Sequence, residues 1–286
     1  VFNEYDLTRN FISNLLTYIP NYNKIIFVNS ICEEHPETTE MLTQLADIRP
    51  GIETIVLEKR WWTSALWNIG LKNVNSKYVL MIDNDIIFHN DFLTPMLTTM
   101  KDKSIAWVGP IYLDQQGNPQ HVGATVNENY AFDRQKYNVI RLPLWQFNQY
   151  ADLGWVYPIL FTTSSCALFR MKALKDIGFF DERLYTAIEQ YLGFSFWSRD
   201  WRIVVQPRSV VKHLESYTKS KWKTLTRTPD WPQEMKKYER EHFNPKQVLS
   251  ILFDDVRDKV LEKVKYERNS YNRRRTEMAQ RPSNPA

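Results

Sequence analysis

The sequence predicts an α/β fold: an open, mixed but mostly parallel sheet with helices on both faces, followed by a C-terminal helical extension. Three observations carry that prediction. From Tyr5 to Asp85, helix-period segments alternate with strand-like ones. The strand-like segments are short apolar runs with β-branched members, the pattern of strands covered on both faces. Polar side chains, Asn29 and Asp83, stand at the carboxyl ends of two of these runs, the edge where open α/β sheets bind ligands.

Each element follows from local pattern. "EYDLTRNFISNLLTYIP" sets Leu7, Phe11, Leu15 and Tyr18 on one helical face, with Asp6 as N-cap and Pro20 as terminator. "KIIFVNS" reads as a buried strand, "ETTEMLTQLAD" as a helix and "IETIVLEK" as a second strand. "TSALWNIGLKN" is a short helix ending near Gly70, and "KYVLMIDND" is the third strand. "DFLTPMLTTMKD" is helical and "IAWVGPIYL" a strand, whereas residues 112–150 have weak periodicity and read as loops and short strands. "SSCALFRMKALKDIGFFDERL" gives a strand and a short helix ending at Gly178. "TAIEQYLGFSFWSRDW" is helical, and "RIVVQPRSVVKH" is a last strand, broken by Pro207, with His213 at its end. The chain then becomes Lys- and Trp-rich, with a helix expected from Gln247 to about Lys265. The expected organisation is a domain over 1–218, a helical extension over 219–265 and a mobile basic tail over 266–286.

The 286 residues are 43% apolar and 14% aromatic, enough for a sizeable core and against global disorder. Most of the ten Trp are expected to pack in that core. Two distant cysteines, Cys32 and Cys166, suggest neither a disulfide framework nor a cysteine zinc site. No Asn-Xaa-Ser/Thr site and no transmembrane-length apolar run occur, so a soluble, cytoplasmic setting is expected. The chain starts without Met, so an upstream signal or anchor stays open. Net charge is +4, and it is concentrated: Val256 to Arg281 holds nine Lys/Arg against four Asp/Glu.

The chemistry centres on "MIDNDIIFHNDF". Carboxylates embedded in apolar sequence are expensive to bury unless neutralised. In an extended chain residues i and i+2 face the same side, so Asp83 and Asp85 can converge on one cation. Two hard oxygen ligands with open positions suit Mg²⁺ or Mn²⁺ carrying phosphate oxygens. The same tripeptide is also common in surface turns, so alone it does not define a site.

In this order, the segments resemble the family 2 glycosyltransferases, which have the GT-A fold, a Rossmann-like sheet, and transfer sugar from nucleotide diphosphate donors. "VFNEYD" resembles their first strand-end turn with the strand cut away. "FVNSI" matches their second strand end, with Asn29 where an Asp usually lies. "WNIGLKNVNSKYVLMIDND" is similar to their Asn-Xaa-Gly stretch and acidic motif. "QHVGATV" is similar to a segment of rhamnosyltransferase-like members. "TSSCALFRMKALKDIGFFDE" follows the family's acceptor-side pattern, and the resemblance covers roughly residues 1–218.

The resemblance implies roles. Asp83, Asp85 and His213 are expected at the metal, Mn²⁺ or Mg²⁺, with Asp83 reaching ribose or metal. Asn3, Glu4, Asn29, Arg60, Asn68 and Asn84 are expected around the donor, with UDP-sugar ahead of GDP- or dTDP-sugar. The Trp61–Trp62 pair reads as packing or as a wall beside the base. Glu189 falls where inverting members place the catalytic base, and Asp181 and Glu182 are expected at the acceptor. Ile188 and Tyr191 stand where the family often has further acids, which leaves an inactive nucleotide-sugar-binding module as an alternative. The basic tail, with Tyr266 and Tyr271 interleaved, suggests another: a transferase acting on a nucleic acid or an anionic lipid-linked acceptor.

Overall fold

A computed structural model describes residues 5–30, 36–58, 61, 63–126, 139–141, 156–182, 184, 188–214 and 256–279. The helix α1 (Tyr5–Tyr18) leads into β1 (Ile25–Ser30), α2 (Pro36–Ile48), β2 (Ile52–Leu57), α3 (Thr63–Leu71) and β3 (Tyr78–Ile82). Each lies where its periodicity placed it. Next come β4 (Ile86–Phe88), α4 (Leu93–Thr99) and β5 (Ile105–Leu113). Short strands β6 (Pro119–His121), β7 (Ala124–Val126), β8 (Val139–Arg141) and β9 (Tyr157–Pro158) follow. The domain continues with β10 (Cys166–Arg170), α5 (Met171–Ile177), α6 (Ile188–Trp197) and β11 (Arg202–His213), and the described chain closes with α7 (Arg257–Ala279).

β1 and β2 form a parallel pair of their own, β7 and β8 an antiparallel one, and the main sheet is mixed, with β5 parallel to β11. β10 lies antiparallel between β3 and β5, and β4 lies antiparallel to β11, giving the order β3-β10-β5-β11-β4 with β6 and β9 flanking. Position explains composition here: all five residues of β10 are buried, as are eight of the nine in β5. Alternate residues serve two cores. Trp107, Phe169, Ile203 and Val205 join Phe180, Leu192, Phe196 and Trp197 on one side. Val108, Leu168, Val204 and Val211 join Phe11, Leu15, Leu42 and Met96 on the other. The period-2 alternation of a strand thus appears as two hydrophobic layers with the sheet between them.

Pro207 does not end β11. The strand runs on with a register shift between Val205, opposite Gly109, and Val210, opposite Ile111. A bulge accommodates the missing N–H donor, and Arg208 N–H donates to Gln206 Oε1 within it at 3.0 Å. α5 stops at Gly178, whose φ of 81° and N–H bond to Lys175 O form a left-handed cap.

The C-terminal region differs from the sequence expectation. α7 continues past Lys265 to Ala279, so residues 266–279 are helical, not a loose tail. Val260, Val264 and Tyr271 are buried against the domain, and Tyr271 meets Tyr157 edge-on at 5.0 Å. Part of the basic charge is engaged in the fold: Arg268 Nε donates to the Tyr157 hydroxyl at 3.1 Å. Glu267 pairs with Arg202 at 3.1 Å, and Lys263 pairs with Asp200. Residues 280–286 and 215–255, including the expected helix start at Gln247, lie outside the described residues. Among the described residues, no helix is long and apolar enough to cross a membrane.

Candidate functional site

Two elements meet at the acidic turn. β3 ends at Ile82, the chain turns through Asp83-Asn84-Asp85, and β4 returns antiparallel to β11. Asp83 N–H donates to Ser165 O at 2.8 Å, anchoring the turn to the segment that precedes β10. The β4–β11 register sets Ile86 opposite His213, and Leu214 N–H donates to Asp85 O at 2.9 Å. His213 Nε2 consequently lies 3.4 Å from Asp85 Oδ2. A residue 128 positions downstream reaches the turn because a three-residue strand pairs there.

Gln120 orients the imidazole. Its Nε2 donates to His213 O at 3.4 Å, which turns its Oε1 toward His213 Nδ1 at 2.8 Å. A carbonyl oxygen accepts, so Nδ1 carries the proton and Nε2 faces Asp85. Tyr112 packs edge-on against both His213, at 6.1 Å, and His121, at 6.3 Å.

The electrostatics of the turn are unbalanced. Burial first, and the neighbouring Asp85 charge second, push the Asp83 carboxyl up to about 6, while the Ser165 hydrogen bond and His213 oppose the rise. Asp85 Oδ1 is buried and finds no hydrogen-bond partner among the described residues. A buried, unpartnered carboxylate oxygen beside a second acid and an imidazole nitrogen fits a divalent cation. Among the described residues, no three His, Cys, Asp or Glu side chains enclose a common point. The protein side is therefore sparse, with Asp85 and His213 as its closest pair.

Across from the turn, Glu189 lies in the first turn of α6, half-buried, and Ser164 donates to its Oε1 at 2.7 Å. Ile188 and Leu192 are buried in the core, so the apolar residue preceding Glu189 is a packing position. Burial first, then Cys166, Asp83 and Glu189, hold the Tyr112 hydroxyl well above its ordinary value.

Other expected site residues turn inward. Asn29 is buried at the end of β1 and donates to the Thr39 hydroxyl at 2.8 Å. Asn84 Nδ2 donates to the Thr8 hydroxyl on α1 at 3.0 Å. Asn68 is a clamp on the Phe-Phe-Asp-Glu turn: it donates to Phe180 O at 2.8 Å and Glu182 Oε1 at 2.9 Å, and accepts from Phe180 N–H at 3.1 Å. Glu182 is exposed beyond that clamp, and Asp181 beside it is half-buried, its carbonyl accepting from Leu184 N–H at 3.0 Å. Trp61 is 41% exposed. Asn3, Glu4, Arg60 and Trp62 lie outside the described residues. Sequence reasoning gave no role to Gln120, Ser164 or Ser165, although they lie in the family-like segments "QHVGATV" and "TSSCALFRMKALKDIGFFDE".

Solved structures share this arrangement of elements. A structure of GalNAc-T7 with UDP, GalNAc and Mn²⁺ matches 84% of the chain at a TM-score of 0.59 and 15% identity. A mannosyltransferase from Pyrobaculum calidifontis, in complex with GDP-Man and Mn²⁺, matches 93% at a TM-score of 0.55 and 12% identity, over 71% of its own length. TarS from S. aureus matches 75% of the chain and 59% of its own at a TM-score of 0.50 and 15% identity. The chain spans about half the length of GalNAc-T7, 52%. No curated protein sequence matches significantly. These likenesses establish the fold as GT-A, the nucleotide-diphospho-sugar transferase fold. Residues 1–178 match the model of "Glycosyl transferase family 2", and the chain belongs to that family.

Proposed function

We propose that this protein is an inverting, metal-dependent glycosyltransferase that moves a sugar from a nucleotide diphosphate donor to a hydroxyl of a saccharide or related glycan. The buried, unpartnered Asp85 Oδ1 carries the reading, because an oxygen so placed calls for a cation. Asp85 and His213 would hold Mn²⁺ or Mg²⁺, with Asp83 on the ion or the ribose. Bound there, the cation supplies positive charge against the departing diphosphate. The Mn²⁺ in the structures of GalNAc-T7 and the Pyrobaculum enzyme supports that assignment, as do their UDP and GDP-Man.

Glu189 serves as general base. It accepts the proton of the acceptor hydroxyl as that oxygen bonds to the anomeric carbon, while the bond from that carbon to the diphosphate oxygen breaks on the opposite face. Configuration inverts, and the leaving group departs as nucleoside diphosphate. One carboxylate suffices for one in-line displacement, so hydrophobic Ile188 and Tyr191 do not argue against turnover.

The test is a panel of UDP-, GDP- and dTDP-sugars, each with Mn²⁺ or Mg²⁺, read by thermal stabilisation and by nucleoside diphosphate release. One donor should stabilise the protein only with metal present and should be turned over. Stabilisation without turnover would favour a silent binding module, and no stabilisation by any donor would refute the transferase reading.

A further inference from the structure

The hydroxyl that meets Glu189 belongs to a segment wedged between the two halves of the site. Residues 159–165 run from β9 to β10 between β5 and α6, and two glycines allow the fit. A Cβ on Gly109 of β5 would lie 2.5 Å from Thr162 Cγ2, and one on Gly193 of α6 would lie 2.6 Å from Leu160 O. α6 presents a single stripe to this segment. Glu189 meets Ser164, Gly193 meets Leu160 and Phe161, and Trp197 Nε1 donates to Ile159 O at 3.0 Å. Positions 189, 193 and 197 are four apart and share one helical face.

Adjacent serines of that segment then reach the two acidic residues by different means. Ser164, 1% exposed, donates its hydroxyl to Glu189 Oε1 at 2.7 Å. Ser165 accepts Asp83 N–H on its main-chain carbonyl at 2.8 Å. One short segment therefore carries the positions of both acids.

We propose that Ser164 is the positioning residue for Glu189, holding the carboxylate at one orientation on the acceptor side. This inference rests on the reading of Glu189 as base. Without the hydroxyl, the Glu189 side chain keeps its helix but loses the bond that selects its rotamer, so turnover falls and donor binding does not.

The experiment is a double-mutant cycle using the nucleotide sugar selected from the panel, with water as acceptor, and UDP or GDP plus Mn²⁺ as the binding probe. S164A should lower kcat roughly ten-fold while thermal stabilisation by the nucleoside diphosphate and Mn²⁺ is retained. In an E189Q background, S164A should cause no further loss, because the bond it removes no longer orients a base. Equal losses from S164A in both backgrounds, or loss of nucleotide stabilisation in S164A, would overturn the proposal. If S164A does not fold, S164C carries the same cycle: its thiol is a weak donor, and kcat should fall below wild type without a change in binding. Undiminished turnover in E189Q refutes the base assignment itself, a result separable from any outcome at Ser164.

Discussion

The acidic turn and the first turn of α6 each hold a carboxylate, and they partner it by different means. At the turn, Asp83 and Asp85 stand together, Asp83 is pushed up to about 6, and one oxygen of Asp85 has no partner. At the helix end, Glu189 stands alone with a buried serine hydroxyl on it. On the proposed reading, the first arrangement would be completed by a cation, whereas the second has its orienting partner in the protein. A transferase that releases charge on one side and takes up a proton on the other would have reason to be built this way.

The sharpest way to break the comparison is to exchange the deficits. E189Q should lower turnover by about 100- to 10,000-fold with metal-dependent nucleotide binding intact, checked by steady-state kinetics beside thermal shift. D85A should do the converse. Its loss of Mn²⁺-dependent nucleotide affinity, read by calorimetry, should exceed the roughly 10–100-fold that loss of an outer-shell partner costs. If both variants lose binding equally, the two halves are not separate.

A smaller effect probes the packing that sets Glu189. G193A forces a Cβ to within 2.6 Å of Leu160 O, so the helix or the segment beneath it must shift. A stability loss of about 1–3 kcal/mol is expected by chemical denaturation, together with reduced kcat and little change in nucleotide binding.

The smallest effect is a pH dependence confined to the turn. With its carboxyl raised from 3.8 to about 6, folded Asp83 binds more protons than the unfolded chain between those values. The metal-free protein should therefore lose stability as pH rises through that window and regain it as pH falls. D83N should remove this component and raise the melting temperature of the metal-free protein at pH 7 by roughly 5 °C. Mn²⁺ with nucleoside diphosphate should shrink the difference, since a cation offsets the same charge.

The helices and strands were legible because each carries its own period. Phe11 and Leu15 are buried at helical spacing, and Gly178 caps α5 in the left-handed conformation that glycine favours. The acidic turn was legible too, as carboxylates after an apolar run. Hidden were features set by pairing between distant segments. The resemblance implies His213 beside the acids, but the means is not legible: β4 is only three residues long, too short for periodicity, and its register with β11 delivers His213 to Asp85. Asn29 and Asn68 are expected at the donor from their place in the chain, and the structure adds that both amides hold neighbouring elements. The run of α7 beyond Lys265 is not legible because Val264 and Tyr271 are separated by charged and polar residues, whereas the surface they bury accounts for a helix that continues to Ala279.

By itself, then, the sequence determined the order of elements, the sides of the sheet that would be buried and the two acids that need a counter-charge. All of these follow from interactions within a few residues. The family resemblance set His213 with the acids, but only the tertiary structure decided the register that brings it to Asp85, that Gln120 sets its tautomer, and that Ser164 lies under Glu189. Those contacts depend on strand register and on close approach at Gly109 and Gly193, which no local period encodes.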